Sequence, residues 1–263
     1  MKITWIMQVY LGEYPNSPKD HDKKFRRAVK SFLNMKDPDT SLVIVSDGCQ
    51  IAHKIYFDEF AKHKNIKYAF VEKTTPLMFE EYQGQELTQY HRVGTRQLGR
   101  IIEDTDLIAY LDSNDVLLPT ASVDIREFWQ KSRENGKPLN WSLNSRWYDS
   151  QDVNKYLKNQ NYHGPEFEFG SITAFDEPVK IKSLKGKWQE VGVEDYKNKV
   201  ANYAFNVVHK NTSKVSWRDA ITGIPHGIKP DVTFIIKMKK IGGLGIMNKS
   251  YYVRCHRANL WDK

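Results

Sequence analysis

Cysteine is scarce: the chain has only Cys49 and Cys255, and no Cys/His cluster has the spacing of a zinc site. A disulfide framework and a structural zinc are therefore excluded, and both thiols read as free groups in a reducing compartment. Long apolar runs are also missing. The cleanest, Leu107 to Leu111, is a handful of residues, far short of the roughly 20 that span a bilayer. The N-terminus enters a strand-like run at once (Met1-Lys2-Ile3-Thr4-Trp5) and lacks a signal-peptide core, so the protein is expected to be cytoplasmic. No Gly-X-Gly-X-X-Gly follows that run, which excludes a dinucleotide oxidoreductase. Internal repeats and low-complexity tracts are absent too.

What is present is a core and a surplus of positive charge. With 40% hydrophobic and 13% aromatic residues the chain is not a disordered one, and 263 residues suit a single large α/β domain. Lys and Arg number 40 against 32 Asp and Glu, a net charge of +8 that favours a polyanionic partner such as nucleic acid, an acidic glycan or an anionic membrane face. Basic clusters lie at 23–27, 180–187 and 237–240. Each alone is an ordinary solvated face; the excess over the whole chain is what points to a partner.

Ile3 to Tyr10 reads as a buried strand, followed by a loop rich in Gly, Pro and Asn. Phe25, Ala28, Val29, Phe32 and Leu33 have helical spacing, and Asp37-Pro38-Asp39 ends that helix. Leu42 to Val45, Ile66 to Val71 and Leu107 to Leu111 predict further strands, with helices near 51–63, over a stretch carrying Leu98, Ile101 and Ile102, and over 122–132. Trp141, Leu143, Ser145 and Trp147 alternate as a strand does, and another strand is expected near 203–208. A helix opening at Asp231 carries Phe234, Ile235, Met238 and Ile241 on one face, stopped by Gly242-Gly243. Strands alternating with helices predict an α/β fold with a mostly parallel sheet covered on both faces.

In such a sheet ligands bind beyond the carboxyl ends of the strands. Tyr10, Asp47 and the run Asp112-Ser113-Asn114-Asp115 occupy those positions. Tyr10 can pack on a base, Asp47 can accept from a base edge, and Asp112 with Asp115 can hold a hard divalent cation that neutralises a diphosphate. An Asp in a turn after a strand is common; three strand ends with nucleotide-compatible groups are not.

The order and spacing over residues 3–119 resemble the GT-A fold (Rossmann-like) glycosyltransferases of family 2. The residues that carry the likeness are the opening strand with Gly12-Glu13, the helix ending Val29-Lys30-Ser31-Phe32-Leu33, and Val43 to Cys49. Thr95-Arg96-Gln97-Leu98-Gly99 is similar to the family's Ala-Arg-Asn-X-Gly, and Ile108 to Asp115 with Pro119 to its Leu-Asp-Ser-Asp-Asp…Pro. A sugar nucleotidyltransferase is excluded, because its Gly-Thr-Arg loop follows the first strand whereas Gly94-Thr95-Arg96 lies far later. The resemblance implies a nucleotide-sugar half over 1–119 and an acceptor half over 120–263. It implies that Asp47 reads the nucleobase, Asn114 the ribose, Asp115 a Mn²⁺ or Mg²⁺ supported by Asp112, and that Arg96 lies near the donor. Asn114 departs from the family's usual Asp; an amide still bonds a ribose hydroxyl but binds metal less well.

The family also implies a general base for the acceptor hydroxyl, in a Glu-Asp pair that opens a helix. Asp231 is preferred for its context, although Pro230 replaces the usual Glu; Asp195, in Glu194-Asp195, is the second candidate. The closing Tyr251 to Arg257 segment resembles a Tyr-X-X-Arg-X-His stretch, which implies that His256 contacts the metal or the diphosphate. The reaction so implied is transfer of a sugar, glucose or a pentose such as arabinose, from a UDP-sugar to a hydroxyl with inversion. The likeness extends to phage enzymes that decorate hydroxymethylcytosine in DNA, and the positive charge makes DNA the favoured acceptor. The rivals are a lipopolysaccharide or capsule transferase at the inner membrane face and a degenerate, polyanion-binding protein without activity.

Overall fold

Ile3, Trp5, Met7 and Val9 point to one side of the first strand and Thr4, Ile6 and Gln8 to the other; all but Gln8 are buried. A strand buried on both faces belongs in the interior of a sheet. In the computed structural model it is there: β1 (Ile3–Val9) pairs in parallel with β2 (Thr40–Asp47) on one side and β4 (Leu107–Tyr110) on the other. The structure describes residues 1–12, 20–72, 96–100, 102, 104–136, 139–144, 179–182, 188–191, 206–210, 212, 215, 234, 237–238, 241, 243–247 and 252–253.

Seven strands form the main sheet, ordered β10-β6-β9-β4-β1-β2-β3. β3 (Ile66–Val71) is parallel to β2. Beyond β4 lie β9 (Asn206–His209), β6 (Trp141–Asn144) and β10 (Leu244–Met247). β9 is antiparallel to both β4 and β6, while β6 and β10 are parallel. The expected mostly parallel α/β sheet is therefore observed, with strands from both halves of the chain. Two small antiparallel pairs accompany it: β5 (Val116–Leu117) with β11 (Tyr252–Val253), and β7 (Val179–Lys182) with β8 (Trp188–Val191).

Among the described residues three helices supply the core on the Trp5 face: α1 (His21–Asn34), α2 (Gln50–Ile55) and α3 (Ala121–Glu134). α1 buries Phe25, Ala28, Val29 and Phe32 against that face, each large side chain contributing roughly 1.5–3 kcal/mol. The opposite face receives the helical residues 96–100. A Cβ at Gly99 would sit 2.5 Å from Ile6 Cγ2, so only glycine lets this backbone lie directly on β1.

Local expectations needed adjustment in two places, and a third lies partly outside the described residues. The helix expected over 51–63 is α2 followed by a π-helix over Tyr56–Phe60, whose wider turn lets Ala61 N donate to Tyr56 O. The expected strand from Trp141 runs to Asn144, and Ser145 and Trp147 lie outside the described residues. Phe234 and Met238 are buried as predicted, but Ile241 is 39% exposed. It closes a turn on Met238 O just before Gly243 (φ 66°), past the end of the apolar face.

Candidate functional site

The strand order reverses at β1. α1 and α2 carry the chain outward through β2 and β3, and β4 then returns on β1's other side. This is the switch point of an open α/β sheet, where the strand ends splay apart and leave a crevice. Val9 is level with Ser46, so Tyr10 and Asp47 follow side by side; Leu111 N donates to Ile6 O (3.0 Å), which sets Asp112 beyond the same edge. The tertiary structure thus brings Tyr10, Asp47 and residues 112–115 to one edge.

Each strand end has its own device. After Asp47, Gly48 adopts φ 61° and its N–H reaches Val71 O (2.7 Å), turning the chain sharply into α2. Cys49 caps that helix: its Sγ accepts from Ala52 N (3.5 Å) and also from Leu11 N (3.1 Å). The thiol, legible in the sequence only as a buried free cysteine, ties the segment after Tyr10 to the segment after Asp47. Its signal was its place between a strand-ending Asp-Gly and a helix.

The loop from β4 to β5 folds on itself, with Asp115 N donating to Asp112 O (3.1 Å). Asp112 is half-buried and Asp115 is 1% exposed. Arg96, 4% exposed, reaches Asp112 Oδ1 with Nη2 at 3.4 Å and lies over the Tyr110 ring at 5.8 Å. That contact is longer than a well-formed N–H···O bond. Two arginines that the sequence reading did not single out lie nearby, one on this loop and one on the segment after β9. Arg27 of α1 donates to Asn114 O (3.0 Å). Arg100, one turn after Arg96, donates to Val215 O (2.6 Å) and Thr212 O (3.2 Å) and lies over the Phe234 ring at 5.9 Å.

β11 runs antiparallel to β5, with Tyr252 opposite Leu117 and Val253 opposite Val116. His256, Asp231, Asp195 and Glu194 lie outside the described residues. Among the described residues no group of three His, Cys, Asp or Glu forms a metal cluster. Two carboxylates nevertheless suit a small hard cation, which commonly takes one or two protein carboxylates and completes its shell from phosphates and water. Among the described residues no helix is long and apolar enough to cross a membrane.

An aromatic ring, a base-edge acceptor, two carboxylates, an amide and a guanidinium at one switch point suit a nucleoside diphosphate. No protein family and no curated protein matches the chain by sequence. Solved structures do match by fold. The fold resembles that of S. aureus TarS. Residues 1–349 of TarS align with TM-score 0.56 at 13% identity over 97% of this chain. The TarS complex with UDP gives 0.57 at 12% identity, and the complex with UDP-GlcNAc gives 0.57 at 11% identity over 98% of the chain. The chain spans 60% of the length of those structures. At that identity the likeness establishes the α/β fold alone.

Proposed function

We propose that the protein is a glycosyltransferase that moves a sugar from a UDP-sugar to a hydroxyl acceptor with inversion. The observation that carries this reading is the convergence of Tyr10, Asp47, Arg96 and residues 112–115 on one switch point, in a fold shared with TarS, whose structures hold UDP and UDP-GlcNAc. Tyr10 packs against the uracil, Asp47 accepts from its edge, and Asn114 bonds the ribose. Arg96 balances charge at the diphosphate end. Asp112 and Asp115, with His256 as a further ligand, would hold Mn²⁺ or Mg²⁺, which supplies charge neutralisation for the departing diphosphate.

Asp231 takes the proton of the acceptor hydroxyl as its oxygen attacks the anomeric carbon; Asp195 is the second candidate for that role. The bond to UDP breaks on the opposite face, and UDP leaves with the electron pair. A polyanion is the acceptor class that the +8 charge supports, and DNA carrying hydroxymethylcytosine is the first member to test. A lipopolysaccharide or capsular glycan is the other.

The test is transfer of labelled sugar from UDP-glucose, UDP-arabinose and UDP-GlcNAc, with Mn²⁺, onto hydroxymethylated DNA, unmodified DNA and anionic glycans. Label on one acceptor class, abolished in Asp231→Asn while UDP binding persists, is the expected result. UDP release with only glycans labelled moves the acceptor away from DNA. No transfer and no UDP release from any donor overturns the reading.

A further inference from the structure

We infer that Arg27 is a positioning residue that holds the Asn114–Asp115 segment in the shape the donor's ribose and phosphates require, an inference that rests on the transferase reading. The loop after β4 is gripped from both faces of the sheet. Arg96 comes from the Ile6 face and meets the Asp112 side chain; Arg27 comes from α1 on the Trp5 face and takes the Asn114 carbonyl at 3.0 Å. Four residues on from Arg27, the buried Ser31 Oγ accepts from Leu117 N at 2.9 Å. One helix face therefore fixes the loop at Asn114 and again at Leu117, where β5 pairs with β11.

Arg27 makes poor use of its donors. Its Nε and Nη1 are buried and have no hydrogen-bond partner among the described residues. Arg126 shows the contrast: its Nη1 and Nη2 both bond Asp37, and its Nε bonds Met1 O at 2.7 Å. Leaving charged donors buried and unmatched is costly. A guanidinium that gives its one described bond to a loop carbonyl is spent on the loop's shape. A carbonyl fixed on this side sets the peptide plane between Asn114 and Asp115, and with it the directions of both side chains.

Amide exchange over 107–118, compared among wild type, Arg27→Met and Arg26→Met, tests this together with titration of UDP and Mn²⁺ by calorimetry. Arg26 is the control, since it faces Asp22 and Glu59 instead. Exchange over 111–118 is expected to quicken and UDP affinity to fall roughly tenfold in Arg27→Met alone, about the worth of one charge-assisted hydrogen bond. Arg27→Lys, which keeps one charged donor, should recover much of both and stands in if Arg27→Met fails to fold. Unchanged exchange overturns the inference, as does faster exchange with undiminished UDP affinity. If wild type binds no UDP the transferase reading and the donor role fall together, while exchange still reports whether Arg27 holds the loop.

Discussion

Cys49 shows how one side chain serves both fold and site. Its sulfur accepts the Leu11 N–H at 3.1 Å and caps α2 through Ala52 N at 3.5 Å, so it couples the ends of β1 and β2 just where Tyr10 and Asp47 emerge. The chemistry used is that of a small acceptor, which a hydroxyl can also supply. Cys49→Ser should therefore keep most of the stability, whereas Cys49→Ala should lose about 1 kcal/mol, the usual worth of a cap. Denaturant midpoints of the two variants check this; equal values would mean that the sulfur only fills space.

At the scale of an element, α1 is a two-sided helix. One side buries Phe25, Val29 and Phe32, and the side toward β5 carries the buried Lys24 and Ser31 and the half-buried Arg27. Lys24 pairs with Asp20 at 3.0 Å, close to His21 in the first turn. Burial holds the His21 imidazole below its ordinary pKa and Lys24 adds to this, against the pull of Asp20 and Asp22. A base whose folded pKa is lowered takes up protons more readily when unfolded. The folded state is therefore favoured above the ordinary histidine value and loses that advantage as pH falls through it toward the folded pKa. Melting temperature should fall between about pH 7 and pH 5, and fall less in His21→Asn. Parallel curves for the two proteins would assign the slope to other groups.

For the whole molecule, Arg96 and Arg100 sit one turn apart on the helical stretch that Gly99 lets rest on β1. The first reaches the loop after β4. The second reaches Val215, Thr212 and the Phe234 ring, all from the part of the chain that follows β9. The stretch thus joins the loop after β4 to the C-terminal half. Arg100→Ala removes the described donor to Val215 O, while Thr212 O keeps the Val215 N–H, and should cost about 1–3 kcal/mol. Chemical denaturation measures it, and a loss within error of zero would show that the halves hold together without this residue.

Strand ends were legible because they are local. An apolar run followed by Asp, Gly, Asn or Pro states where a strand stops, so Tyr10, Asp47 and residues 112–115 could be picked out one at a time. Their meeting could not be. It depends on β4 returning beside β1 rather than extending the sheet past β3, and hydrogen bonds to residues distant in the chain leave no mark on local spacing. The same holds for antiparallel β9, for β11 laid on β5, and for the Arg27 bond to Asn114, 87 positions away. Composition and period alone settled the charge, the α/β class and the edge-facing residues. Packing settled which edges adjoin, because closing a long loop is decided by the surface buried on arrival, a property of two segments and never of one.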